Sequence, residues 1–135
     1  MAALTSDVFF YGLFMDAHVV EAKGARATGS RQGFVRDWSL RIGQRATIVP
    51  ALGEVVHGVV MVMELPELDR LYRDVSVQMY RPVAVLVEGA ASGAALAYVL
   101  PEPPAPEERN PEYAAKLRAL AERLGLPGHY IRSIA

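Results

Sequence analysis

The apolar residues of this chain come in short runs broken by glycine and proline, and that punctuation limits what it can fold into. Val55–Met63 is the clearest run, rich in valine and methionine and interrupted only by His57 and Gly58. Runs of this length and β-branched content build strands, whereas helices show apolar residues at three- and four-residue spacing. By the same signals, Val8-Phe9-Phe10-Tyr11 is a buried first strand that stops at Gly12. Phe34–Ile42 is a strand with Phe34, Trp38, Leu40 and Ile42 mostly on one face, and Ala46–Val49 is a brief strand. Tyr80–Val87 puts Val83, Val85 and Val87 on one face, and Ala94–Leu100 is its return strand. Gly29–Gly33, Pro50-Ala51-Leu52-Gly53 and Gly89–Gly93 read as turns. Gly58 inside a strand predicts a bulge or the close approach of another backbone, and Pro82 predicts a strand start or a sheet edge. Strands close in sequence and joined by short turns pair antiparallel, which predicts a partly closed barrel.

Helices are fewer. Phe14–Lys23 has mixed helical character, with Gly24 as a stop, and Pro66–Tyr72 reads as a short helix with Leu68 and Leu71 on one face. The last helix is well marked: Asn110 can cap it, Pro111 opens it, and Gly125 and Pro127 end it. Tyr113, Leu117, Leu120 and Leu124 form a stripe that packs on the strands. Pro101–Pro106 carries four prolines in six residues and is extended. A stiff connector is favoured over a ligand for a proline-binding module. At 135 residues the chain suits one domain spanning residues 1–135, as a monomer or homodimer.

Composition removes several function classes. The formal net charge is −1 with acidic and basic residues interspersed, so no nucleic-acid partner is expected. The absence of cysteine excludes disulfides, thiolate metal sites and a cysteine nucleophile. Met1–Asp7 lacks signal-peptide features and no apolar run can span a bilayer, so a cytoplasmic protein without a membrane partner is expected. His18, His57 and His129 have no ligand spacing, and there is no phosphate loop or dinucleotide fingerprint, so no metal or cofactor is expected. His57 lies in an apolar strand and reads as structural, while Ser39 and Ser76 lack a nucleophile elbow. Met61 and Met63 fill core space. Arg31, Arg36, Arg41 and Arg45 read equally well as an anion site or as scattered surface charge.

Two segments carry candidate chemistry. At Tyr11-Gly12-Leu13-Phe14 a strand ends on glycine, a geometry that can aim successive backbone N–H groups at a carboxylate or oxyanion. The polar stretch Asp69–Arg81 follows a helix and precedes a strand, and Asp74 is its carboxylate best placed to act as acid or base. Its alternative is a solvated aspartate paired with Arg73 or Arg70. Tyr11, Tyr80 and Tyr98 are further candidates to line a binding cavity, with Tyr98 favoured as a packing aromatic.

In order and spacing these pieces resemble the γ-glutamylcyclotransferase-like family, which includes plant avirulence-induced-gene-like proteins. Phe9-Phe10-Tyr11-Gly12-Leu13-Phe14 resembles the family's first strand and Tyr-Gly loop. Ala46-Thr47-Ile48-Val49-Pro50, Gly53 and Val56-His57-Gly58-Val59-Val60 resemble its central segment. Leu68-Asp69-Arg70-Leu71 with Tyr80-Arg81 resembles the surroundings of its active acid. Asn110-Pro111-Glu112-Tyr113, Ala121, Gly125-Leu126-Pro127 and Tyr130-Ile131 resemble its C-terminal helix and tail. The resemblance implies an α+β fold, a small mixed and mainly antiparallel β-barrel with flanking helices. It implies an enzyme that cyclises a γ-glutamyl amide or amine to 5-oxoproline without a cofactor, the substrate's α-amine being the nucleophile. The Tyr-Gly loop (Tyr11, Gly12, Leu13, Phe14) would hold the small-molecule substrate. One glutamate would move the proton, and counted from Leu71 its position falls at Val75, leaving the adjacent Asp74 as the replacement acid. Leu13 and Phe14 stand where the family has polar residues, which implies a less polar ligand. The alternatives are a noncatalytic domain that binds a small carboxylate or amide, and a scaffold.

Overall fold

Val8, Phe9 and Phe10 are all but fully buried, and the strand that carries them, β1 (Thr5–Phe10), lies at the centre of the sheet. The computed structural model describes residues 4–135. Five strands follow the order β2-β3-β1-β5-β4, with β2 Thr28–Ile42, β3 Ala46–Glu64, β4 Arg81–Val87 and β5 Gly93–Val99. β1 pairs antiparallel with β3 (Phe9 opposite Val60) and parallel with β5 at Val8 and Leu96. β2–β3 and β4–β5, each adjacent in sequence, pair antiparallel, and the parallel pair joins strands far apart in the chain. Pro82 sits on the edge strand, in register with Tyr98, as its sequence position predicts.

Gly58 explains how β1 can lie so close to β3. A methyl group there would stand 2.2 Å from the Phe10 carbonyl oxygen and 2.9 Å from the Phe9 ring. The expected close backbone approach is therefore present, and it is what seats the first strand.

Two expected turns are instead parts of strands. Gly29–Gly33 belongs to β2, and its glycines accompany a register shift between Thr28 and Arg31. Pro50–Gly53 does not reverse the chain: Trp38 faces Pro50 and Arg36 faces Val55, so the extra residues of β3 are absorbed as a bulge. The Asp37 carboxylate accepts a hydrogen bond from the Gly53 N–H at 2.8 Å, holding the bulge to the opposite strand. The two strands read in this region are thus one.

The sheet is mixed and mainly antiparallel, flanked by helices, but no continuous ladder closes it into a barrel. Its edges meet at a bridge where Phe34 and Glu88 exchange two backbone hydrogen bonds of 2.9 Å, and the Ala91 N–H donates to the Gln32 carbonyl beside it at 2.9 Å. An Arg36–Glu88 ion pair at 2.8 Å reinforces the same point.

The helices are α1 (Ala17–Ala22), α2 (Leu65–Leu71), α3 (Pro111–Leu124) and α4 (Gly128–Ser133). A 3-10 turn, Leu13–Met15, precedes α1. In α3 the Asn110 side chain accepts from the Tyr113 N–H at 3.0 Å, and Gly125 ends the helix at φ 75°. Leu117 and Leu120 are buried in the core, each worth about 1.5–3 kcal/mol relative to exposure. α4 follows Pro127 directly and was not marked in the sequence. In the proline-rich connector, Glu108 accepts from the N–H groups of Ala105 (2.7 Å) and Gln44 (3.2 Å). These bonds pull its carboxyl below the usual range and fasten the β2–β3 turn beside the cavity described next. Among the described residues, no helix is long and apolar enough to cross a membrane.

Candidate functional site

The end of β1, the 3-10 turn, the β2–β3 turn, the α2–β4 loop and the start of α3 enclose an open cavity of about 460 Å³. Tyr11 forms part of its floor. Its buried phenol donates to the Tyr98 carbonyl at 2.6 Å, and desolvation raises its pKa well above the ordinary value. At Gly12 a methyl group would lie 2.6 Å from the Tyr113 hydroxyl, so the missing side chain is what admits that phenol from α3. The Tyr113 oxygen accepts from the Leu13 N–H at 3.3 Å. One N–H of the loop expected to face a ligand is therefore already capped, and the Tyr113 O–H remains to donate.

Aromatic rings continue around the wall. Phe10 meets Phe14 edge-on at 6.0 Å, and Phe14 meets Tyr72 edge-on at 5.9 Å. Tyr72 then stacks on Tyr98 at 3.8 Å with the planes 10° apart. Tyr80 stands beside Tyr72 and donates to the Ala46 carbonyl. Burial raises the pKa of Tyr72, Tyr80, Tyr98 and Tyr113 as it does that of Tyr11. All five remain neutral phenols near pH 7, able to donate hydrogen bonds and unsuited to accept a proton.

Two cations reach the cavity, Lys23 and Arg45. Arg45 donates through Nε to the Ser76 carbonyl at 3.0 Å and has no carboxylate within ion-pair distance among the described residues. Lys23 lies 3.3 Å from Asp74. Of the other arginines considered, Arg31 pairs with Asp7 and Arg36 with Glu88, and Arg41 lines a separate surface hollow.

Asp74 itself does not line the cavity. It sits just outside the rim, accepting from the Ser76 hydroxyl (2.6 Å) and N–H (2.9 Å) and from Lys23. Those Ser76 bonds, more than Lys23, hold its carboxyl down at about 2. The partners expected for it are otherwise engaged, Arg70 with Glu67 and Arg73 with Asp69. Val75 points away from the site, 74% exposed. His57 packs its ring between Phe34 (5.4 Å) and Tyr130 (5.0 Å), and burial lowers its pKa. Among the described residues no group of three or more His, Cys, Asp or Glu side chains is placed to hold a metal.

Residues 8–117 match the family described as gamma-glutamyl cyclotransferase, AIG2-like. The chain belongs to this family. A solved gamma-glutamyl cyclotransferase superimposes with a TM-score of 0.73 at 22% identity, covering 98% of this chain and 89% of the other. An uncharacterized protein of Homo sapiens, loc79017, gives 0.75 at 22% identity, with 97% and 88% covered. A yeast gamma-glutamyl cyclotransferase specific to glutathione gives 0.57 at 15% identity, with 98% and 94% covered. No curated protein sequence matches the chain. At these identities the structures speak to the fold.

A Leu-Asp pair lies earlier in this stretch than the Leu71 from which the count above was made. Leu68-Asp69 lies inside α2, and the fifth residue counted from Leu68 is Tyr72. Leu68 and Leu71 are buried on one face of α2, and Tyr72 at its end lines the cavity. Of the residues expected at the site, Tyr11, Gly12, Leu13, Phe14, Tyr80 and Tyr98 all line the cavity, and Asp74 does not. Tyr72 and Tyr113 were missed as site residues. Tyr72 lay within a stretch read for its carboxylates, and Tyr113 was absorbed into the apolar stripe of α3.

Proposed function

We propose that this γ-glutamylcyclotransferase-family domain binds a small carboxylate or amide metabolite in its tyrosine-lined cavity without cyclising it. One observation carries the reading: among the described residues no carboxylate lines the cavity. It is supported by Tyr72, which borders the cavity and is the residue that would take the family glutamate's place if that position is counted from Leu68. Cyclisation requires a base to take a proton from the attacking α-amine and return it to the departing nitrogen. A buried phenol whose pKa is raised cannot take that proton near pH 7. Intramolecular attack still benefits from orientation, but loss of the acid–base group costs about 10²–10⁴ in rate. The remaining features suit binding. Arg45 can hold a carboxylate, and the Tyr113 hydroxyl can donate to a carbonyl.

A second reading is slow cyclisation with Asp74 as the acid–base group. It is favoured by the place of Asp74 at the rim, where both of its side-chain partners, Lys23 and Ser76, line the cavity. A carboxyl held at about 2 is a weak base, so this route would be inefficient.

The test is 5-oxoproline release from γ-glutamyl amino acids, γ-glutamylamines and glutathione, using wild type, Asp74→Asn and Tyr72→Glu. Wild type and Asp74→Asn are expected to release none above background. Tyr72→Glu is expected to gain release, by roughly 10² or more. Turnover by wild type that vanishes in Asp74→Asn would replace the binding reading with the second one.

A further inference from the structure

We propose that the ligand of this cavity is an aromatic carboxylate, its anionic end on Arg45 and its ring against the wall that contains Tyr72 and Tyr98. This rests on the reading of the cavity as a binding site for a small carboxylate or amide.

Charge sets one end of the ligand. Arg45 is the cavity cation without a carboxylate partner, and Lys23 is already engaged by Asp74. Among the described residues no acidic side chain lines the space, so an ammonium group would find no counter-ion there and would face Arg45 as a like charge. The tyrosine faces could attract a cation, but that attraction is small beside an uncompensated neighbouring charge. A carboxylate meets the opposite situation. The guanidinium offers it charge-assisted hydrogen bonds, and neutral phenols supply more donors. A ligand with a free carboxylate and no free amine therefore fits the electrostatics better than an amino-acid zwitterion does.

The walls set the other end. Phe10, Phe14, Tyr72 and Tyr98 form an unbroken series of edge-on and stacked contacts at 3.8–6.0 Å, and every member borders the cavity. A flat ring entering beside them extends the series by the offset and edge-on contacts that aromatic quadrupoles favour. A saturated ring of equal size has no such complementarity. The volume of about 460 Å³ accommodates one ring with a short acidic arm.

The experiment is calorimetric titration of the full chain with phenylacetate, cyclohexylacetate, phenylacetamide and γ-glutamylalanine, repeated on Arg45→Gln. Phenylacetate is expected to bind about tenfold tighter than either cyclohexylacetate, which lacks the π face, or phenylacetamide, which lacks the charge. Arg45→Gln is expected to lose about tenfold for phenylacetate and nothing for phenylacetamide. The wild-type comparison stands even if the variant folds poorly. Equal binding of phenylacetate and cyclohexylacetate, or tighter binding of γ-glutamylalanine, would overturn the aromatic assignment while leaving a carboxylate site in place. Equal binding of phenylacetamide and phenylacetate would overturn the anionic end. Binding of none of the four would overturn both this assignment and the reading on which it rests.

Discussion

The Tyr11–Phe14 segment and the Tyr72–Tyr80 segment meet at the Phe14–Tyr72 contact but are held by different physics. Tyr11 and Gly12 are fixed by burial and close contact: the Tyr11 phenol is locked to the Tyr98 carbonyl, and Gly12 lies directly under the Tyr113 hydroxyl. After Tyr72, the loop is held by polar ties near solvent, Asp74 to Lys23 and Ser76, and the Ser76 carbonyl to Arg45. Contacts of the first kind are lost only with packing. Those of the second kind exchange with water and are individually weak. The lesson is that the cavity has a floor built like a core and a rim built like a surface, and Asp74 belongs to the rim.

Mutations can break or sharpen that contrast. The largest effect is expected beneath the floor. Gly58→Ala forces a methyl group into the Phe10 carbonyl, where neither backbone can yield, and should cost about 3 kcal/mol or more. Chemical denaturation measures it, and a loss under about 1 kcal/mol would mean that β1 is not seated as described.

Next comes Gly12→Ala, expected to cost roughly 1–3 kcal/mol because the clash is with a side-chain hydroxyl that can shift. Adding Tyr113→Phe removes that oxygen and should recover part of the loss. Strict additivity of the two changes would argue against the contact.

The smallest effect is expected at the rim, in Asp74→Asn. The folded carboxyl is depressed to about 2 from an ordinary 3.8. Such a group stabilises the fold at pH values above its unfolded pKa, and that stabilisation is lost as the pH falls from about 4 toward 2. Wild type should therefore melt slightly above Asp74→Asn at pH 7, with the gap closing by pH 2. A gap that persists at pH 2 would mean that the carboxylate's charge is not what holds the loop.

Much of the fold was legible because its signals are local. Val8–Tyr11, the helix over Leu68 and Leu71, the Asn110 cap and the Tyr113–Leu124 stripe each announce themselves within a few residues. The errors came where a local signal had a tertiary use. Pro50–Gly53 carries turn residues, but Asp37 on the facing strand converts them into a bulge. Closure of the barrel could not be read either, because it depends on how two sheet edges meet, here around the Phe34–Glu88 bridge.

The site divides in the same way. The Tyr11–Phe14 segment was visible because a strand ending on glycine is a local pattern. The fate of Asp74 was not visible, since its partner Lys23 lies 51 positions away and nothing in the sequence favours that lysine over the nearer arginines. By itself the sequence determined the family, the strands and helices, and the presence of a Tyr-Gly loop, because these follow from residue order and short-range periodicity. Only the tertiary structure decided that Tyr72 faces the cavity, that Tyr113 covers a loop N–H, and that Asp74 stays outside. Those facts depend on which distant side chains compete for each group, and that competition exists only in the folded chain.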